Sequence, residues 1–131
     1  MATLNDDIAT INTRFFDIWP ISVHVVQDND TNEPEPSATW CRLSIQPGAR
    51  LRQTLGERRY LQLGRVYLQI FVPAQMGWDQ GWALADTFNE IFNEYRSPDY
   101  RINFGAPEFR VSDAEKEYFT VICSAPYTSE H

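Results

Sequence analysis

The sequence is poor in positive charge. It contains a single lysine, Lys116, and its 11 basic residues stand against 18 acidic ones, which gives a formal charge of -7 and a pI of about 4.7. Because phosphate binding requires a net positive surface, this balance argues against a free-standing nucleic-acid-binding protein.

Long apolar runs are also absent. No run approaches the roughly 18 residues of a membrane-spanning helix, and the first residues, MATLNDDIATINTRFF, lack the apolar core of a secretory signal. We therefore expect no membrane association and no secretion. The 131 residues, with 43% hydrophobic content, are expected to form one domain, 1–131, with a buried core.

Cysteine and histidine are scarce. Cys41 and Cys123 lie in strand-like stretches and His24 lies mid-strand, so these residues and His131 form no recognisable metal site. Buried, reduced thiols in a cytoplasmic compartment are expected, and a disulfide is the alternative. A nucleophilic pair of Cys123 and His24 would need an orienting third group that the sequence does not supply.

The acidic motifs resemble catalytic or metal sites only weakly. Asp28-x-Asp30-x-Asn32 begins like a calcium loop, but Glu33 and Thr39 occupy the positions where an EF-hand requires Gly and Glu. Carboxylates also recur along a predicted helix, where a solvated face is more common than acid–base catalysis: Asp79, Asp86, Glu90 and Glu94. We predict no catalytic, cofactor or metal site and a non-enzymatic protein.

Hydrophobic periodicity predicts an α+β fold. Helical stripes indicate helices over about 3–18 and 78–95. Alternating apolar residues indicate strands over about 21–26, 40–46, 65–72, 101–104, 108–111 and 118–125, the last of them ended by Pro126. The order predicts a mostly antiparallel twisted sheet with both helices on one face. The predicted core contains Phe15, Val66, Leu68, Ile70, Phe88 and Phe92.

The polar segment 47–60 is either a long hairpin connection or a flexible arm, and we expect an arm that becomes ordered in an assembly. Around it the chain is strongly basic: residues 42–65 hold six arginines against Glu57. Arginine, tyrosine and tryptophan are typical interface anchors. A protein interface is therefore predicted at Arg42, Arg50, Arg52, Arg58, Arg59, Trp40, Tyr60 and Tyr67. A solvated loop and a DNA contact are the alternatives.

The order of these segments resembles the tail terminator (tail completion) proteins of long-tailed bacteriophages, in the group related to the lambda minor tail protein U. The likeness covers most of the chain. An N-terminal helix leads to Val25–Asn29 and to a strand that begins Trp-Cys-Arg-Leu at Trp40. Its strongest part is 64–92, from Gly-Arg-Val-Tyr-Leu-Gln-Ile-Phe-Val-Pro through Gly77 and Gly81 to Ala-Leu-Ala-Asp-Thr-Phe and Ile-Phe.

The resemblance implies a structural virion protein of the tail, assembled in the host cytoplasm. Copies of such a chain form a ring, expected to be a hexamer, at the head-proximal end of the tail tube. The ring ends tube polymerisation and provides a platform for head-tail joining. The implied partners are further copies, the tail tube protein and the head-tail connector, while DNA passes through the lumen without specific binding. A small adaptor domain of the same fold outside a virion is the alternative function, and an enzyme with an unrecognised site is a third.

Overall fold

The computed structural model describes residues 2–27, 38–53, 59–74, 77–112 and 118–131. They form two helices and one six-stranded sheet. The order is α1 (Leu4–Ile18), β1 (His24–Gln27), β2 (Trp40–Arg52), β3 (Tyr60–Pro73), α2 (Asp79–Phe92), β4 (Ile102–Phe104), β5 (Glu108–Ser112) and β6 (Tyr118–Glu130). The chain is thus an α+β single domain, as its periodicity predicted. The calcium-like motif, 28–32, lies outside the described residues.

The sheet has three long strands, β2, β3 and β6, and places β3 and β6 at its centre. The strand order is β1-β2-β3-β6, and β4 and β5 both pair with the far side of β6 at different heights. Only the β1–β2 pair is parallel. The predicted alternation of β3 is confirmed, because Val66, Leu68, Ile70 and Val72 are all fully buried.

Both helices cover the same face of this sheet. Phe15 of α1 and Phe88 and Phe92 of α2 are fully buried against the sheet residues, so the whole predicted core is confirmed. A capping box between Thr3 and Asp6 begins α1. The apolar residues that recur at helical spacing in α1, from Leu4 to Ile18, are buried only in the centre of the helix, because Leu4 and Ile18 are about two-fifths exposed whereas Asp7 is buried.

Segment 47–60 is not an irregular arm where it is described. Residues 47–52 continue β2 and pair with the beginning of β3, from Pro47 opposite Gly64 to Arg52 opposite Tyr60. The six residues 47–52 of this ribbon are all exposed and a bulge interrupts their pairing, so this end of the strand has no alternation of buried apolar residues that a sequence pattern could reveal. Residues 54–58 lie outside the described part of the chain.

The last strand passes through Pro126 and ends at Glu130, so the prediction that Pro126 ends it is wrong. Proline lacks the N–H that a strand needs. On the side of β6 where the Pro126 carbonyl accepts from the Gly105 N–H at 3.0 Å, β5 has ended and β4 has not begun. The missing donor therefore falls in a gap between two strand partners.

Two further boundaries differ from prediction. α2 ends at Phe92 rather than near Tyr95, and Glu94 follows with a left-handed backbone, φ 52°. β1 begins at His24 because residues 21–23 form a turn in which Ile21 is fully exposed. No helix among the described ranges is long and apolar enough to cross a membrane.

Gly64 is required by a close approach between neighbouring strands. It lies directly opposite Tyr127 of β6. A methyl group at Gly64 would meet the Tyr127 ring at 2.4 Å from Cζ, which no side chain can tolerate without movement. The ring of Tyr127 is buried, and burial together with the Asp7 carboxylate raises the pKa of its hydroxyl to about 12.

Candidate protein interface

The sheet face opposite the two helices carries most of the features expected of an interface. The strand registers align its side chains in rows across β2, β3, β6 and β5. The rows are Trp40–Phe71–Thr120–Ser112, Arg42–Gln69–Ile122–Arg110, Ser44–Tyr67–Ser124–Glu108 and, without a β5 member, Gln46–Arg65–Pro126. We call this surface the helix-free face.

An aromatic cluster occupies one end of the helix-free face. The rings of Trp40 and Phe71 stack with centroids 4.3 Å apart, and Tyr118 meets Phe71 edge-on at 6.4 Å. The guanidinium of Arg42 lies 5.9 Å from the Trp40 ring. Neither α1 nor α2 covers these rings, so they give the face a rigid apolar end beside a positive charge.

Arginines surround a shallow groove in the middle of the face. Two adjoining hollows of about 520 and 350 Å³ share Tyr67, Arg110 and Ile122. Arg65 donates to Ser124 Oγ at 3.1 Å, and its Nη1 lies 3.7 Å from a carboxylate oxygen of Glu108. In the described part of the chain, three arginines, including Arg42 at the edge of the second hollow, thus surround the groove with one carboxylate, that of Glu108.

The structure separates the predicted interface residues into two groups. Trp40, Arg42 and Tyr67 lie on the helix-free face, as a joint interface requires. Arg50 and Tyr60 do not, because the Arg50 guanidinium packs 4.7 Å above the Tyr60 ring on the opposite side of the ribbon.

The remaining predicted arginines also lie away from the groove. Arg52 is opposite Tyr60 in the ribbon, and Arg59 is exposed just before β3. Arg58 lies outside the described residues. The structure therefore does not bring the arginines of the ribbon onto the face that carries Arg42, and their part in an interface stays a prediction.

A β-bulge is the physical reason for the separation. Between Pro47 and Arg50 strand β2 has one residue more than its partner, which inverts the side-chain alternation beyond that point. Leu51 consequently turns to the helix-free side and Arg50 away from it. Gln62 fixes the bulge, because its amide nitrogen donates to the carbonyl oxygen of Gly48 at 2.9 Å.

Two arginines of the face were missed from the sequence. Arg65 was counted in the basic segment but not assigned to a site, and Arg110 lies in a different part of the chain. Arg110 reaches the groove through the strand register. It pairs with Ile122 of β6, and Ile122 lies in the same row across the sheet as Arg42. Only the strand register brings these residues together, and no local pattern encodes it.

The outward side of α2, on the other side of the domain from the helix-free face, is acidic. On α2 the residues Asp79, Ala83, Asp86 and Glu90 are exposed and lie on the side away from the buried helix face. We call these four residues the acidic stripe. Helix α2 contains no basic residue. Glu94, predicted to continue this helix, lies beyond its end.

A second polar cluster is buried and has a structural arrangement. Asp7 of α1 is fully buried and accepts a hydrogen bond from Ser129 Oγ at 2.7 Å, while its other oxygen lies 2.7 Å from His131 Nε2. Arg101 forms an ion pair with the same carboxylate and donates to Ser129 Oγ at 2.7 Å. Ser129 is hydrogen-bonded to the Asp7 carboxylate rather than to His131. The cluster therefore links α1 to the end of β6.

The two cysteines are free, buried thiols on the core side of the sheet. They belong to β2 and β6 on either side of β3, where Cys41 is opposite Ile70 and Cys123 is opposite Leu68. Burial raises the pKa of Cys123 to about 12 and also raises that of Cys41, so both thiols stay protonated at neutral pH. Within the described ranges no group of three or more His, Cys, Asp or Glu is arranged to hold a metal ion.

Comparison with known proteins identifies the fold alone. No protein-family model matches the chain, and no curated protein matches it. One solved structure has a TM-score of 0.73 at 16% sequence identity, over 98% of this chain and 96% of its own. The two proteins thus share their architecture over nearly their whole lengths.

Proposed function

We propose that this chain is a structural virion protein of the tail terminator type, which associates with further copies of itself into a ring on the end of a tail tube. The observation that carries the proposal is the helix-free face. A sheet face that only meets water is typically polar, whereas this one combines stacked aromatic rings with arginines around a groove. Aromatic residues and arginine are enriched where proteins bind proteins.

The segment order adds support from the resemblance to tail terminators. The helix, the paired long strands and the second helix occur in the described structure in the order that the resemblance implies. On this proposal the partners are neighbouring copies, the tail tube protein and a head-tail connector. The net charge of -7 suits a lumen through which DNA passes without adhering, because like charges repel.

The proposal is tested by the assembly state of the purified chain. Native mass spectrometry and negative-stain imaging, over a range of protein concentrations, are expected to show a closed ring of one defined copy number with a central opening, most simply a hexamer. A species that stays monomeric at high concentration would contradict the proposal and favour the adaptor alternative.

The biological role is tested separately in a phage that encodes this chain. Deleting the gene is expected to give tails of uncontrolled length that fail to join heads. Tails of normal length that still join heads would contradict the terminator role even for a ring-forming protein.

A further inference from the structure

We propose that neighbouring copies meet through opposite surfaces, with the acidic stripe of one copy seated in the arginine groove of the helix-free face of the next. This inference rests on the proposed ring and names the two surfaces that build it. It commits to a second copy of this chain as the occupant of the groove.

The charges of the two surfaces are complementary within one chain. Among the described residues that line it, the groove presents Arg42, Arg65 and Arg110 against one acid, Glu108. The stripe presents the carboxylates of Asp79, Asp86 and Glu90, and no basic residue of α2 neutralises them. Two grooves would repel each other, and so would two stripes, so complementarity is reached only by a groove facing a stripe.

The dimensions of the two surfaces also match. Arg42 and Arg110 are at the ends of one row, three strand spacings or about 14 Å apart, and Arg65 lies about 13 Å further along the strands. A helix with its side chains is about 10–12 Å wide, and the stripe from Asp79 to Glu90 spans about 16 Å. One helix can thus lie along the groove with carboxylates near arginines at both ends.

Small and aromatic residues on α2 favour close contact. Ala83 is exposed at the middle of the stripe, where a small side chain lets the helix approach the groove floor at Tyr67 and Gln69. Trp82 is 43% exposed on the flank of the same helix, four residues before Asp86. An exposed tryptophan beside a charged stripe is the kind of residue that anchors an interface.

Contact between two different surfaces has a geometric consequence. Each copy keeps one free groove and one free stripe after pairing, so association continues from copy to copy, and it ends in a ring where the rotation between neighbouring copies closes. An interface in which identical surfaces meet would stop at a dimer. The opposite charges on the two sides of this domain therefore favour the contact between unlike surfaces that the proposed ring requires.

Charge reversal tests the pairing. The groove variant carries Arg42→Glu and Arg110→Glu, and the stripe variant carries Asp86→Lys and Glu90→Lys. Each is expected to weaken self-association at least about tenfold, because like charges then face each other across the contact. A combined variant with all four changes is expected to assemble again, since both surfaces are then inverted and complementary.

Matched controls use the same chemistry at other exposed sites. Arg50→Glu lies on the other side of the ribbon, and Asp17→Lys lies on α1. Both are expected to assemble like the original chain. Circular dichroism and the melting temperature verify that every variant is folded. If the charge-reversed groove variant does not fold, a variant with Arg42→Gln and Arg110→Gln replaces it. Sedimentation velocity measures the assembly state of each variant.

The outcomes separate this inference from the proposed function. Loss of the ring in both single-surface variants with recovery in the combined variant supports the inference. A ring that survives either reversal, or a combined variant that remains dissociated, overturns it while leaving the ring proposal intact. An original chain that never forms a ring overturns both.

Discussion

Replacing Asp7 by asparagine, which exchanges one carboxylate oxygen for an amide nitrogen, is expected to destabilise this protein strongly. The carboxylate is fully buried and contacts Arg101, Ser129 and His131. Asparagine keeps the shape but removes the charge and turns one acceptor into a donor. Removing one member of a buried ion pair typically costs about 3–5 kcal/mol, because the partner charge stays without compensation.

The structure favours the lower end of that range. The Arg101 side chain is 17% exposed and its Nε lies 3.6 Å from Asp99, so water and a second carboxylate partly compensate the guanidinium. We therefore expect a loss of about 3 kcal/mol in the free energy of unfolding, or about 10 °C in melting temperature for a chain of this size.

Chemical denaturation monitored by tryptophan fluorescence measures this loss. Asp17→Asn, which makes the same change at an exposed site of the same helix, is the control and should alter stability by less than about 0.5 kcal/mol. A loss below about 1 kcal/mol for Asp7→Asn would show that the buried cluster does not hold α1 on the sheet.

Three further predictions test the core. Gly64→Ala is expected to cost about 1–3 kcal/mol by overlap with the tyrosine ring opposite it, whereas Gly48→Ala, with no contact closer than 3.6 Å, should be nearly neutral; equal melting temperatures would contradict this. Phe88→Ala should cost about 3–5 kcal/mol in denaturant titrations, and a loss below about 1 kcal/mol would contradict its place in the core. Cys41 and Cys123 should resist alkylation until the protein unfolds, because both thiols are buried and protonated; rapid native labelling would refute their burial.

The sequence predicted the parts of the fold that repeat locally. The alternation in β3 and the stripe of α2 identified buried residues correctly, because burial of every second or every third-to-fourth side chain leaves a direct pattern. The predicted strand boundaries were wrong where a strand is formed by backbone hydrogen bonds without a pattern of buried side chains. Residues 47–52 are a strand without an apolar face, and Pro126 fits a strand only because its missing donor falls between β5 and β4.

The candidate interface was predictable only in part, for the same physical reason. Arg42 and Trp40 were found from composition near one strand. Arg110 joins them through cross-strand pairing between distant parts of the chain. One extra residue in β2 then turns Arg50 away. The Asp7 cluster was missed because an acid in the first turn of a helix has a sufficient local explanation, and its partners are 94 to 124 residues away.

Cysteine cross-linking tests the central claim most directly. Gln69 lies in the middle of the groove row and Ala83 in the middle of the acidic stripe. A chain carrying Gln69→Cys and Ala83→Cys should form disulfides between copies under mild oxidation, because the two positions face each other across the proposed contact. Denaturing electrophoresis should then show a ladder that stops at the copy number of the ring, most simply six, while each single variant forms no ladder. A double variant that yields no cross-linked species, or none larger than a dimer, would contradict a ring built by pairing the groove with the stripe.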